Sequence, residues 1–128
     1  MALTIANECN KAALDGMAAV FNSGLFKLQA TGPSTLATLT FGSTAFAAAS
    51  TASPSVAVSN AITAASSPTA GTIALFRLET SGASVRINGT VSTIAAGTGD
   101  LQFTDVVIPS GTTSVTCTGG LTMTLQLS

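Results

Sequence analysis

From Leu25 onward, apolar residues recur at alternate positions, in runs broken by Gly, Pro and Ser. A period of two sends successive side chains to opposite faces of a strand, so most of this chain is committed to half-buried β-structure. Residues 25–31 show it first: Phe26, Leu28 and Ala30 point one way, Lys27 and Gln29 the other. Gly32-Pro33-Ser34 is a turn signal, and Ala37, Leu39 and Phe41 mark a second strand that Gly42 ends. Further strands are expected over 72–79, 84–91, 100–108, 114–117 and 121–127. Pro109 to Thr112 and Gly119-Gly120 supply turns between the last three. In the last segment Leu121, Met123, Leu125 and Leu127 alternate with polar residues.

The two strands around Ser81-Gly82 form a hairpin. Facing Phe76 with Ile87 and Leu78 with Val85 collects four apolar side chains on the core face. Arg77, Glu79 and Arg86 then share the other face, with the two arginines opposite each other and Glu79 diagonal to Arg86. This is the densest charged feature of the chain. It reads as a local charge cluster centred on Glu79 or as an anchor for a carboxylate of a partner subunit, through the planar guanidinium fork.

One segment has a different period. In residues 5–22, Ile5, Cys9, Ala12, Ala13, Met17, Val20 and Phe21 recur mostly three and four apart, which predicts one helix with that stripe buried. Thr4 suits its N-cap and Gly24 the left-handed position after its C-terminus. Glu8, Lys11 and Asp15 form its solvated face. Residues 43–71 are rich in Ala, Ser and Thr, but Phe46, Val56, Val58 and Ile62 are spaced through them. Extended edge strands and loops packed on the domain are expected there, with Pro54 and Pro68 at edges or turns. One helix followed by about seven or eight short strands predicts a mainly β fold, a β-sandwich or jelly roll. At 128 residues the chain is sized for a single domain, with the helix at 5–22 and the sandwich over 25–128.

Charge narrows the function. Charged residues are 7 % of the chain, against about 25 % in a typical soluble domain. Ala, Ser and Thr make up nearly half of it. Two Lys and two Arg, scattered, cannot build the cationic footprint that nucleic acid or an anionic membrane surface requires. A surface of small neutral side chains is buried against a neighbour at little desolvation cost, which favours life in an assembly. No stretch is long and apolar enough to span a membrane. The first residues lack a signal-peptide pattern, so cytoplasmic synthesis is expected.

Catalytic chemistry is hard to assemble from these residues. The chain has no His. Cys9, on the apolar stripe, and Cys117, in a strand, are expected to be buried free thiols, and no histidine activates either. Asp100 and Asp105 read as turn and surface residues and not as an acid–base pair. Gly97, Gly99, Gly119 and Gly120 read as turns, because no phosphate-loop Lys follows them. Asn88-Gly89-Thr90 fits the glycosylation triplet, but nothing implies passage through a secretory pathway. The sequence therefore predicts no enzyme, no cofactor and no metal site.

Several short segments, in order, resemble the head decoration or cement proteins of tailed bacteriophages. They are Met1-Ala2-Leu3-Thr4-Ile5, Leu39-Thr40-Phe41-Gly42 followed by Ala45-Phe46-Ala47, Asn60-Ala61-Ile62, Ala74-Leu75-Phe76-Arg77, Ser81-Gly82, Asn88-Gly89-Thr90-Val91 and Gly99-Asp100-Leu101. The chain carries fewer acidic residues around its strands than such proteins often do. The resemblance implies a jelly-roll-like domain, a dimer or trimer, seated on the outer capsid surface of a virion over joints between major capsid subunits. It implies no functional residue by motif. A carbohydrate-binding β-sandwich and a tail or fibre subunit are the alternatives. The absence of Trp and Tyr counts against the first, since sugar sites usually want aromatic platforms.

Overall fold

A computed structural model describes residues 5–118 and 120–125. Helix α1 (Asn7–Ala19) leads into β1 (Leu25–Gln29) and β2 (Thr35–Phe41). The middle of the chain supplies β3 (Ser55–Val58), β4 (Ile62–Thr63), β5 (Ala65–Ser66) and β6 (Gly71–Thr72). Then come β7 (Leu75–Glu79), β8 (Val85–Thr93), β9 (Leu101–Phe103), β10 (Val107–Ile108), β11 (Ser114–Val115) and β12 (Thr122–Leu125). The fold is mainly β with one N-terminal helix and a curled sheet, consistent with a β-sandwich. Five of these strands are two residues long, among them β11, where a strand over 114–117 is predicted.

Six strands form the main sheet in the order β4-β2-β1-β7-β8-β9. Neighbours are antiparallel except β8 and β9, which run parallel. Three short ladders, β10-β6, β11-β5 and β12-β3, tie the last part of the chain to its Ala/Ser/Thr-rich middle. That middle is therefore an integral part of the sheets and not a linker. The strand predicted over 100–108 breaks into β9 and β10. Leu127 lies outside the described residues.

The core sits on one face of the main sheet. Phe26 pairs with Leu39 and Leu78, and Leu28 with Ala37 and Phe76, so these side chains share that face. Leu14, Ala18, Phe21 and Phe46 join the same buried cluster. Phe41 is the hub of its rings, with centroids 5.6 Å from Phe46, 6.2 Å from Phe21 and 6.4 Å from Phe26. Such pairs add about 0.5–1.5 kcal/mol each beyond the area they bury.

The helix turns a different face inward from the one its sequence predicts. Asn10, Leu14 and Ala18 are buried, whereas Cys9 is exposed and Met17 and Val20 are 41 % and 44 % exposed. Of the predicted stripe, Phe21 alone is fully buried. The reason is compositional: small residues occupy both sides of this helix, so burial follows the bulkiest anchors, Leu14 and Phe21. Polar side chains then complete the docking. Asn10 Nδ2 donates to the Ala52 carbonyl at 3.2 Å, the Ala49 N–H donates to Asp15 at 2.8 Å, and the Ala45 N–H donates to Asn22 at 2.9 Å. The N-cap position falls at Ala6, and Thr4 lies outside the described residues.

Past the helix, Ser23 takes the left-handed conformation expected of Gly24, with φ 55°. Gly24 is required for another reason: a Cβ there would collide with the Glu79 and Phe21 carbonyl oxygens.

Candidate functional site

The β7–β8 hairpin pairs two residues away from the expected register. Phe76 faces Gly89, Arg77 faces Asn88, Leu78 faces Ile87, and a bulge lets Glu79 face Val85. The Phe76 ring explains the choice. A Cβ at position 89 would lie 2.8 Å from the ring, so a glycine must sit opposite it. Arg77 and Arg86 are consequently not opposite each other, and Glu79 is not the centre of an arginine cluster.

The partner of Glu79 comes from β1. Lys27 faces Arg77 in the β1–β7 ladder, which places two like charges side by side. Cations so placed repel unless a carboxylate intervenes. Glu79, two pairs further along and on the same face as Arg77, supplies it: Lys27 Nζ lies 3.1 Å from Glu79 Oε1. That oxygen is buried and has no hydrogen bond of good geometry, so the contact is an ion pair and not an aligned hydrogen bond. Glu79 is 1 % exposed. Lys27 was not among the residues singled out from sequence. Alternation marks it as a polar-face residue, but nothing local reveals that β1 and β7 are neighbours.

Three of the other four carboxylates are also engaged; Glu8 is exposed on α1 with no partner among the described residues. Asp15 bridges Lys11, at 2.7 Å, and the Ala49 amide. The Lys11 hydrogen bond first, and then the Ala49 amide, holds its carboxyl below the ordinary value of 3.8. Asp100 accepts the Thr90 amide and the Thr90 hydroxyl, both at 3.0 Å, and these two bonds lower its pKa in that order. Asp105 accepts the Val107 N–H at 2.9 Å. Of the two aspartates considered as an acid–base pair, Asp105 thus serves a local turn and Asp100 ties the chain before β9 to Thr90 of β8.

The cysteines are both free. Burial pushes the half-buried Cys117 thiol up, the wrong direction for a nucleophile. Among the described residues no group of three His, Cys, Asp or Glu could hold a metal ion.

Arg77 and Arg86 stand apart. Among the described residues neither has a carboxylate partner. Arg77 is half-buried on the sheet face turned away from the core, and exposed Arg86 reaches only the adjacent Val85 carbonyl, at 3.4 Å. Both Lys are paired, so one hairpin carries both unpaired cations. Around them lie Thr38, Thr40, Asn88 and Thr90, exposed and uncharged. This surface can dock a neutral face and grip one or two carboxylates. Comparison with family models, with curated proteins and with solved structures finds no match for this chain.

Proposed function

We propose that this chain is a non-enzymatic virion structural protein. It is a decoration or cement subunit on the outer capsid of a tailed bacteriophage, and it stabilises the head by binding the major capsid protein. The observation that carries the reading is the charge distribution. Most of the few charges of this chain are spent on its own fold; among the described residues, exposed Glu8 on α1 and two guanidinium groups on one hairpin are not. A neutral surface with isolated arginine anchors suits a protein interface, where Arg is enriched and other charges are depleted. The ordered sequence resemblance points the same way. Many equivalent copies add modest interface energies over a whole shell, which needs shape and rigidity and no chemistry.

The test is add-back. Purified chain mixed with expanded heads that lack it is expected to bind in regular, saturable copies on the outer lattice, visible by cryo-electron microscopy. Binding to tails alone would move the protein to the tail or fibre class, and no binding would refute the proposal.

A further inference from the structure

Strand β9 ends the main sheet. It pairs with β8 on one side, and among the described residues no strand pairs its other side. The Ile94 N–H donates to the Phe103 carbonyl at 2.8 Å. In a parallel ladder, alternate residues turn their polar groups toward the neighbour, so Leu101 and Phe103 serve β8 and Gln102 turns its N–H and C=O outward. Unpaired edge groups of this kind are a template for another strand.

A cleft of about 520 Å³ adjoins this edge. Val115, Cys117 and Leu121 line it, and it reaches down to Phe26, Leu28 and Leu39 of the core. Asp105 is the one charged residue in its lining. Strands lie about 4.8 Å apart and layers about 10 Å apart, so this volume accommodates roughly 11 Å of extended chain, about three residues. That matches the length of β9 itself. The opening therefore has the volume of about three residues of one added strand.

We infer that the β9 edge and this cleft receive an extended, uncharged segment of the partner subunit, added as a strand beside Gln102 with apolar side chains at alternate positions. A small apolar molecule would fill the space but leave the backbone groups of Gln102 unmet. The identity of the partner rests on the proposed capsid role; the strand slot does not.

The probe is the synthetic peptide acetyl-Thr-Val-Thr-Val-Thr-amide, added to the full chain and followed by amide hydrogen exchange. In the free chain the Gln102 amide is expected to exchange fast and the Phe103 amide slowly. Saturating peptide slows Gln102 exchange by about tenfold or more, as closure of an exposed amide does. Gln102→Pro removes an N–H that the chain's own sheet does not use, so it is expected to keep its melting temperature and lose the peptide. Gln102→Thr keeps both. A Gln102 amide already protected in the free chain would overturn the inference, as would absence of saturation at millimolar peptide. Undiminished binding to Gln102→Pro would do the same. Should that variant fail to fold, the exchange rates of the unaltered chain decide. Binding to heads with Gln102 still exchanging fast would sink the strand slot and leave the decoration role standing; peptide capture without head binding would do the reverse.

Discussion

Lys27 holds its ammonium 3.1 Å from Glu79 Oε1, across two strands separated by about two fifths of the chain, and the carboxylate it meets is 1 % exposed. The lysine side chain remains 25 % exposed. The pair therefore joins a buried anion to a partly hydrated cation. Removing the cation strands the anion. Lys27→Met is expected to destabilise the fold by about 3 kcal/mol, whereas Lys27→Met with Glu79→Leu recovers most of that loss. Urea unfolding of the three proteins checks it; equal stability of the single and double variants would show that the ion pair contributes nothing.

The inward face of α1 is tested by two truncations of similar size. Leu14 is fully buried, so Leu14→Ala is expected to cost about 2–5 kcal/mol. Met17 is 41 % exposed, so Met17→Ala is expected to stay within about 0.5 kcal/mol of the parent. Thermal unfolding separates the two, and the opposite ranking would restore the stripe predicted from sequence.

Acid should weaken the fold through Asp15 and Asp100. Both carboxyls are held below their ordinary value of 3.8, by hydrogen bonds that exist only in the folded chain. The folded pKa lies below the unfolded one, so the contribution is complete above the unfolded value and is lost as pH falls through the folded value. The melting temperature is expected to be level from about pH 7 to pH 5 and to fall below about pH 4. Asp100→Asn should lower it near neutrality and shallow the acid limb.

The two thiols should differ in reactivity. Cys9 is exposed on α1, while Cys117 is half-buried with its pKa raised by desolvation. Iodoacetamide at pH 8 is expected to alkylate Cys9 at least about tenfold faster, because the thiolate is the reactive form. Peptide mapping over time reads the ratio directly.

At the candidate interface, Arg77→Glu with Arg86→Glu is expected to abolish head binding. The variant should keep its fold, since neither arginine pairs with a carboxylate among the described residues. Circular dichroism and co-sedimentation with heads supply the two readings. Retained binding would remove these residues from the interface.

Alternation made much of the core legible. Phe26, Leu28, Ala37, Leu39, Phe41, Phe76 and Leu78 are buried on the side their spacing assigns, because a strand must send neighbouring side chains to opposite faces. The β7–β8 register was not legible. A slip of two residues leaves Phe76, Leu78 and Ile87 on their expected face, so the pattern cannot see it, and the contact of the Phe76 ring with Gly89 decides; the bulge beyond Leu78 turns Val85, expected in the core, out to 38 % exposure opposite Glu79. The helix face failed for a related reason: small residues such as Ala12, Ala13, Ala18 and Ala19 lie on more than one side of the helix, so the apolar pattern cannot aim it.

The candidate surface divides the same way. Arg77, Glu79 and Arg86 were visible in the sequence as a charged group on one hairpin, but their pairing was not. Lys27 reaches Glu79 only because β7 lies beside β1, a neighbourhood made by long-range ladder bonds. The sequence by itself determined which segments become strands and which of their side chains turn inward, since both follow from local period. Tertiary structure decided which strands are neighbours, which charges are consumed and which edge stays open. Backbone hydrogen bonds join any two strands alike, and close packing of particular side chains must choose among them.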